Sequence, residues 1–179
     1  YSAKPMKPIR FFTEDLRANG YYCSNNSKED YNMLTSPLAW DESSQTAHWR
    51  NRKEGQPFFS VFNFNVTHES RVWKNKLAYS KEELENVTIP DLFPKDSRIR
   101  GDLLTYHKNI EKLDTQIGVI IDQLKADGLY ENTIIFFFSD HGGPFPRYKR
   151  SIYETGIRVP MVAKWIDDTC RGCLLYTSP

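Results

Sequence analysis

The sequence contains no long apolar run and no excess of charge of either sign. No stretch approaches the roughly 18 consecutive apolar residues that a membrane-spanning helix needs, and no charged-then-apolar leader opens the chain. Its 24 lysines and arginines are balanced by 23 aspartates and glutamates, which gives a net charge of +1. A balanced charge provides no electrostatic attraction to nucleic acid or to an anionic membrane. We therefore expect neither a nucleic-acid partner nor a membrane span.

Cysteine is scarce as well, and its three residues do not indicate a redox compartment. Cys23 stands alone after two tyrosines, and we interpret it as a small, half-buried hydrophobic residue rather than a reactive thiol. Cys170 and Cys173 have the Cys-x-x-Cys spacing of a zinc or redox pair. Neither a second pair nor a flanking βα pattern accompanies them, so we assign them no chemistry.

The clearest secondary-structure signals lie in the second half of the chain. Between residues 97 and 127, apolar residues recur at three- and four-residue steps, which predicts one long helix that Gly128 ends. The short apolar run 134–138 predicts a buried strand of a parallel sheet, and 58–66 and 159–165 predict two more strands. Alternation of helices and strands predicts the α/β class, with a largely parallel sheet flanked by helices. A chain of 179 residues is long enough for one domain with a real core.

The remaining elements are predicted to be short. Residues 11–20 predict a helix that ends at a glycine, and Ser80-Lys81-Glu82-Glu83 has the capping-box pattern of a helix start. The polar residues 24–30 predict a loop. Residues 37–55, which lack periodicity, predict irregular structure with one short helix. None of these elements changes the α/β assignment.

The strongest chemical signal lies where the apolar run 134–138 ends. The next residues, 139–143, read Ser-Asp-His-Gly-Gly, and residues 149–160 read Lys-Arg-Ser-Ile-Tyr-Glu-Thr-Gly-Ile-Arg-Val-Pro. A carboxylate and an imidazole that follow the carboxyl end of a strand lie where open α/β sheets bind ligands. Asp140 and His141 are adjacent potential metal ligands, and packing alone does not explain them. The two motifs together favour a ligand site over a solvated turn.

With these motifs, residues 131–165 resemble the sulfatase family of the alkaline-phosphatase superfamily, and the resemblance extends back to about Phe11. In that family a strand ends in Ser-Asp-His/Asn-Gly, and a Lys-Arg-Ser-x-Tyr-Glu-x-Gly-Ile-Arg-Val-Pro segment follows. The Gly-Gly-Pro-Phe-Pro variant at 142–146 is most similar to heparan N-sulfatase, or sulfamidase-like, enzymes and to bacterial arylsulfatase-like members. The resemblance implies an alkaline-phosphatase-like α/β sandwich. It also implies metal-dependent hydrolysis of a sulfuric ester or N-sulfate, on a sulfated carbohydrate or another small sulfate ester.

The resemblance assigns metal binding and sulfate binding to residues of the two motifs. Asp140 and His141 match the family's two downstream metal ligands, usually for calcium; the alternative for His141 is a hydrogen-bonded neighbour of the site. Lys149 matches the lysine that contacts the sulfate or its leaving-group oxygen. We interpret Arg150 as a residue that braces the loop against a carboxylate.

Two further residues match sulfate-binding positions of the family. His68 follows the strand 58–66 and matches a histidine that contacts sulfate and protonates the leaving group, although a histidine after a strand is often structural. Lys28 falls on a sulfate-binding lysine, with a solvated side chain as the alternative. Asp30 stands where the family has a histidine, and a carboxylate cannot supply the same cationic hydrogen bond. The role of that histidine is therefore vacant or reassigned in this chain.

Part of the family's catalytic apparatus is expected outside residues 1–179. The Cys-x-Pro/Ala-x-Arg motif, whose cysteine is oxidised to the formylglycine nucleophile, is absent, and two further metal carboxylates are expected upstream of Tyr1. We interpret 1–168 as the central part of a catalytic domain and 169–179 as a non-native or frame-shifted tail. The isolated chain should be inactive, and the resemblance implies a periplasmic, secreted or lysosomal location for the intact enzyme.

Two other functions stay open at this point. One is a metal-dependent phosphodiesterase of the same superfamily, in which the Ser-Asp-His-Gly strand end binds zinc; residues 149–160 argue against it. The other is a non-catalytic relative that binds sulfated glycans, for which Asp30 is the one hint. Sequence alone does not indicate the oligomeric state or the position of the sulfate group on the substrate.

Overall fold

The computed structural model describes residues 9–74 and 78–166, which form two compact units that divide after Phe64. The class is α/β, as predicted, with a parallel three-stranded sheet flanked by helices. That residues 1–168 are the central part of a catalytic domain stays a prediction, and the predicted tail 169–179 lies outside the described residues. The helices and strands, in chain order, are α1 (Phe12–Ala18), β1 (Tyr22–Asn26), β2 (Glu42–Ser43), β3 (Phe58–Phe62), α2 (Ser70–Trp73), α3 (Lys81–Glu85), α4 (Ser97–Ala126), β4 (Ile135–Phe138), α5 (Glu154–Ile157) and β5 (Met161–Lys164).

The first unit is built on the parallel sheet, with strand order β2-β1-β3. The prediction of a loop over 24–30 was wrong for its first residues, because β1 is the central strand. Polar side chains are tolerated there because they pair across the sheet. Ser24 Oγ lies 2.8 Å from Ser60 Oγ, and the fully buried Asn25 amide donates to Ser43 Oγ at 3.0 Å. Local sequence does not reveal such cross-strand partners.

Aromatic and small residues fill the core of the first unit. Trp49, in a short 3-10 helix, is 2% exposed and packs against the rings of Phe58 and Phe62. Cys23 is fully buried in β1, which supports its interpretation as a hydrophobic residue. Burial, reinforced by the nearby Asp41 carboxylate, raises the pKa of the Cys23 thiol to about 11. The thiol is therefore protonated and unreactive at neutral pH.

The second unit contains the long helix α4, whose predicted bounds are confirmed. The Asp96 carboxylate caps its first turn by accepting the Arg98 N–H, and Gly128, with φ +69°, follows its end. The Ser80 capping box at the start of α3 is also present. The core of the unit consists of buried apolar residues that α4 shares with two loops, namely Val87, Ile89, Phe93, Leu103 and Phe145. Within the described ranges, no helix is both long and apolar enough to cross a membrane.

The strands β4 and β5 form an antiparallel pair, in register from Ile135 opposite Lys164 to Phe138 opposite Met161. The predicted strands are confirmed, but the prediction that 134–138 is buried in a parallel sheet was wrong for the described structure. Exposure alternates along β4, and Phe136 and Phe138 are 51% and 62% exposed. Period-2 alternation places every second aromatic ring on the face that no described element covers. An unbroken apolar run does not distinguish a strand buried on one face from a strand buried on both.

Candidate active site

The loop between β4 and β5, residues 139–160, is held by two close approaches of its own backbone. The Gly142 N–H donates to the Gly156 carbonyl at 2.9 Å. A Cβ atom at Gly142 would overlap the Thr155 carbonyl, and one at Gly156 would overlap the carbonyls of Ser151 and Tyr148. Glycine is therefore needed at both positions for a steric reason. This contact fixes the segment Asp-His-Gly directly against α5.

Phe145 anchors the same loop in the core of the second unit. It is 7% exposed, and its ring lies 5.6 to 6.2 Å from a set of aromatic rings on α2, α4 and the adjoining loops. That set comprises Trp73, Phe93, Tyr106 and Tyr148. The Gly-Gly-Pro-Phe-Pro segment thus includes a packing residue, a role that the sequence interpretation did not give it.

Asp140 and His141 form the candidate metal-binding pair. His141 Nδ1 lies 2.7 Å from the Gly142 carbonyl, which only accepts hydrogen bonds, so Nδ1 carries the proton and donates. The neutral ring then has its lone pair on Nε2, which lies 3.6 Å from Asp140 Oδ1. A metal-binding histidine commonly donates its other ring nitrogen to a carbonyl in this way.

The two donors fit a divalent cation, as part of a larger set of ligands. A carboxylate oxygen suits a hard cation such as calcium, and a neutral imidazole suits zinc or other transition metals better. Calcium takes about six to eight oxygen ligands. Among the residues that the structure describes, no group of three or more histidine, cysteine, aspartate or glutamate side chains could hold an ion. Asp140 and His141 can therefore contribute two ligands to such a site and cannot complete it.

His68 lies at the turn between β3 and α2. Its side chain is exposed, and Nδ1 accepts the Ser70 backbone N–H at 3.3 Å and lies 2.9 Å from Ser70 Oγ. Since Nδ1 is an acceptor in this arrangement, the neutral ring carries its proton on Nε2. The Ser70 hydroxyl can also accept a hydrogen bond from a protonated Nδ1, so this contact is compatible with a charged ring as well. His68 is thus held in a state in which Nε2–H is available as a donor.

Glu69 ties the His68 segment to the second motif, 81 positions further along the chain. The Arg150 guanidinium donates to both carboxylate oxygens, at 2.7 and 3.0 Å, and Lys149 Nζ lies 3.4 Å from Oε1. The Arg150 hydrogen bonds and the Lys149 charge lower the pKa of Glu69 to about 2. The interpretation that Arg150 braces the loop against a carboxylate is confirmed. We call Glu69, Lys149 and Arg150 the Glu69 clamp.

Lys149 is also linked through the backbone to the candidate metal-binding pair. Its N–H donates to the Gly143 carbonyl at 3.0 Å, two residues after His141. Its side chain is only 17% exposed, whereas that of Arg150 is 71% exposed. The second unit therefore brings together the segments of His68 and Lys149 with the loop of Asp140 and His141. The residue that joins them, Glu69, was missed by sequence interpretation, although it directly follows a candidate histidine.

Lys28 belongs to the first unit. Its ammonium lies 3.9 Å from the Asp30 carboxylate, and its carbonyl accepts the side-chain amide of the buried Asn25 at 3.2 Å. The carboxylate of Asp30 thus forms an ion pair with the candidate lysine. The roles assigned to Lys28, His68, Asp140, His141 and Lys149 stay predictions.

The chain is similar in sequence to known sulfatases. The family described as Sulfatase matches residues 10–171. An ulvan-active sulfatase of Formosa agariphila is 40% identical over 92% of this chain, which corresponds to 34% of that protein. An N-acetylgalactosamine-6-sulfatase of Mus musculus is 32% identical over 68% of the chain and 21% of that protein. Human N-sulphoglucosamine sulphohydrolase is 27% identical over 43% of the chain and 15% of that protein. The chain thus spans about a third or less of the length of these relatives.

Proposed function

The chain belongs to the sulfatase family, and we propose that the full-length protein containing it hydrolyses sulfate esters of a carbohydrate. The names of its relatives support this substrate class, because they include an ulvan-active sulfatase and two enzymes named for amino-sugar sulfates. One observation carries the proposal for the site. A largely buried lysine, Lys149, is fixed by its backbone to the same loop as the donors Asp140 and His141. A cation and two metal donors on one loop suit an anionic substrate.

In this mechanism Lys149 binds the sulfuryl oxygens. Its ammonium has three donors and is held near Glu69, so it offers hydrogen bonds to negative charge that grows as the ester bond breaks. Lys28, in the first unit, is a second candidate for sulfate binding, with Asp30 as its ion-pair partner. A positioned ammonium stabilises the transition state more than an ammonium that must first be ordered.

His68 supplies the proton in this proposal. In the protonated ring, Nδ1–H would donate to Ser70 Oγ, and Nε2 would transfer its proton to the oxygen or nitrogen that leaves the sulfur; the ring becomes a neutral imidazole and the developing negative charge is neutralised. The Ser70 hydroxyl lies 2.9 Å from Nδ1 and can pair with it before and after the proton is transferred, so the orientation of Nε2 is fixed. Ser70 is therefore a positioning residue for His68.

Two groups that we expect in the intact enzyme complete the chemistry. A divalent cation, calcium in our proposal, would be held in part by Asp140 and His141 and would supply electrostatic stabilisation of the sulfuryl oxygens, while a formylglycine outside residues 1–179 would supply the nucleophile. The proton on Nδ1 of His141 leaves Nε2 able to bind such an ion. One observation also favours the phosphodiesterase alternative, because an imidazole nitrogen is a better ligand for zinc than for calcium.

Release of inorganic sulfate tests the proposal directly. Full-length, metal-loaded protein would be incubated with a panel of sulfated oligosaccharides, with 4-nitrophenyl sulfate and with bis(4-nitrophenyl) phosphate. We expect release of sulfate, with the highest kcat/KM on a sulfated saccharide. Hydrolysis of the phosphate diester with no release of sulfate would support the phosphodiesterase instead. Tight binding of sulfated saccharides with no turnover would support a non-catalytic relative.

A further inference from the structure

The Glu69 clamp contains one more cation than the Glu69 carboxylate needs as a partner. Arg150 engages both oxygens of Glu69, so a carboxylate with one negative charge already has a full bidentate partner. Lys149 nevertheless lies 3.4 Å from Oε1, the oxygen that Arg150 Nη2 contacts at 2.7 Å. The three residues together carry a net charge of +1. A positive net charge attracts an incoming anion such as sulfate.

Arg150 and Lys149 contact the Glu69 carboxylate unequally. The guanidinium fork matches the carboxylate and forms short hydrogen bonds, whereas the lysine ammonium shares one oxygen at a longer distance. Arg150 thereby limits how strongly Glu69 can hold Lys149. Lys149 is the less exposed cation, and its backbone is fixed to Gly143. A ligand that competes for its ammonium has to overcome only the weaker of the two contacts.

The backbone of Arg150 has an unfavourable conformation that its contacts with Glu69 help to maintain. Its φ of +69° lies in the left-handed region, which is unfavourable for a residue other than glycine. Such a conformation persists when other contacts maintain it. The two hydrogen bonds to Glu69 are such contacts, and they depress the pKa of Glu69 well below its ordinary value.

We propose that Glu69 is a positioning residue that holds Lys149 in place until sulfate arrives, and that Arg150 keeps this hold weak enough for Lys149 to exchange the carboxylate for the sulfate group. The inference rests on the proposed function of the site and adds a role for two of its residues, Glu69 and Arg150, to which that function assigns none. Glu69 orders the lysine side chain in the absence of substrate. Arg150 retains Glu69 when the lysine is released, so no carboxylate is left without a partner beside the bound anion.

Two variants separate this exchange from a simple effect of surface charge. Glu69→Gln raises the net charge of the clamp by one and removes the hold on Lys149. We expect inorganic sulfate to bind about threefold to tenfold more tightly, while kcat falls by about tenfold or more because Lys149 is no longer ordered. Arg150→Lys leaves the net charge unchanged but replaces the fork with a single ammonium. Glu69 then holds Lys149 more strongly, and we expect sulfate to bind about threefold more weakly.

Matched substitutions in exposed ion pairs of the same unit serve as controls. Glu111→Gln removes the partner of Lys108, and Arg98→Lys replaces a guanidinium that contacts Asp96. The dissociation constant of inorganic sulfate would be measured by calorimetry on the full-length, metal-loaded protein. The kcat and KM of the enzyme would be measured with a sulfated saccharide as the substrate. The inhibition constant of inorganic sulfate would be measured in the same assay. Neither control should change these values beyond error.

The result expected is tighter sulfate binding with slower turnover for Glu69→Gln, and weaker binding for Arg150→Lys. If Glu69→Gln does not fold, Arg150→Lys decides the question alone, since a pure charge effect predicts no change for it. Unchanged binding by Arg150→Lys, or an unchanged kcat for Glu69→Gln, would overturn the proposed exchange while leaving the sulfatase function intact. A wild-type protein that neither binds nor releases sulfate would contradict both.

Discussion

Replacement of Gly142 by alanine should damage stability and activity together, because the added methyl group has no space. A Cβ atom there would lie 2.9 Å from the Thr155 carbonyl carbon and would overlap its oxygen, whereas ordinary contact begins at 3.4 Å. The two backbone segments must then separate by more than about 1 Å before the methyl group clears that oxygen, which stretches the 2.9 Å hydrogen bond between Gly142 and Gly156 beyond its normal range. Overpacking costs about 1–3 kcal/mol, and loss of the bond costs about 1 kcal/mol more. We expect a loss of about 2–4 kcal/mol.

Activity should fall further than the loss of stability alone would require. Gly142 directly follows the candidate metal-binding pair, so the displacement moves Asp140 and His141 relative to the rest of the site, and a shift near 1 Å can cost about 10²-fold in rate. The assay compares kcat/KM for a sulfated saccharide with the free energy of unfolding in urea. Gly118→Ala is the matched control, because its Cβ meets nothing within 4 Å on helix α4, and it should stabilise the protein by about 0.5–1 kcal/mol. Wild-type stability and kcat/KM in Gly142→Ala would refute the steric reasoning.

Three further predictions follow from the same loop and its clamp. Asp140→Asn should lower bound calcium and sulfatase activity together, whereas Asp114→Asn on α4 should leave both unchanged; full metal content with full activity would contradict the ligand assignment. Phe145→Ala should lower the free energy of unfolding in urea by about 3–5 kcal/mol, whereas Phe138→Ala, at a side chain that is 62% exposed, should lower it far less. Equal losses would show that Phe145 is not the anchor of the loop. The folded-state pKa of Glu69, about 2, lies below its ordinary value of 4.5, so its stabilising effect is complete above about pH 4.5 and is lost as the pH falls towards 2. The difference in melting temperature between wild type and Glu69→Gln should therefore shrink from about pH 6 to about pH 3, and a constant difference would be evidence against the ion pair.

Elements with strong local signals were predictable from the sequence. The bounds of α4 follow from its apolar period and from Gly128, because both signals lie within the element or next to it. The same holds for the start of α3 at Ser80, where a capping box decides the first turn. The turn after the strand 134–138 was identifiable for a different reason, since its residues are chemically unusual for a turn.

Features that depend on distant partners were not predictable. The polar residues of β1 resemble a loop until Ser60 and Ser43 on the neighbouring strands supply hydrogen bonds. The clamp joins Glu69 to Arg150 across 81 positions, and no local pattern marks either residue as the other's partner. The exposed face of β4 was missed because an unbroken apolar run does not indicate which face of the strand other elements cover.

The most direct test of the central claim is the effect of Lys149→Ala on kcat/KM for sulfate release by the full-length protein. If Lys149 holds the sulfuryl group, kcat/KM should fall by roughly 10²-fold or more, the scale for loss of one preorganised electrostatic group. Lys108→Ala, which removes an exposed lysine paired with Glu111 in the same unit, should leave kcat/KM unchanged. Wild-type kcat/KM in Lys149→Ala would contradict the account.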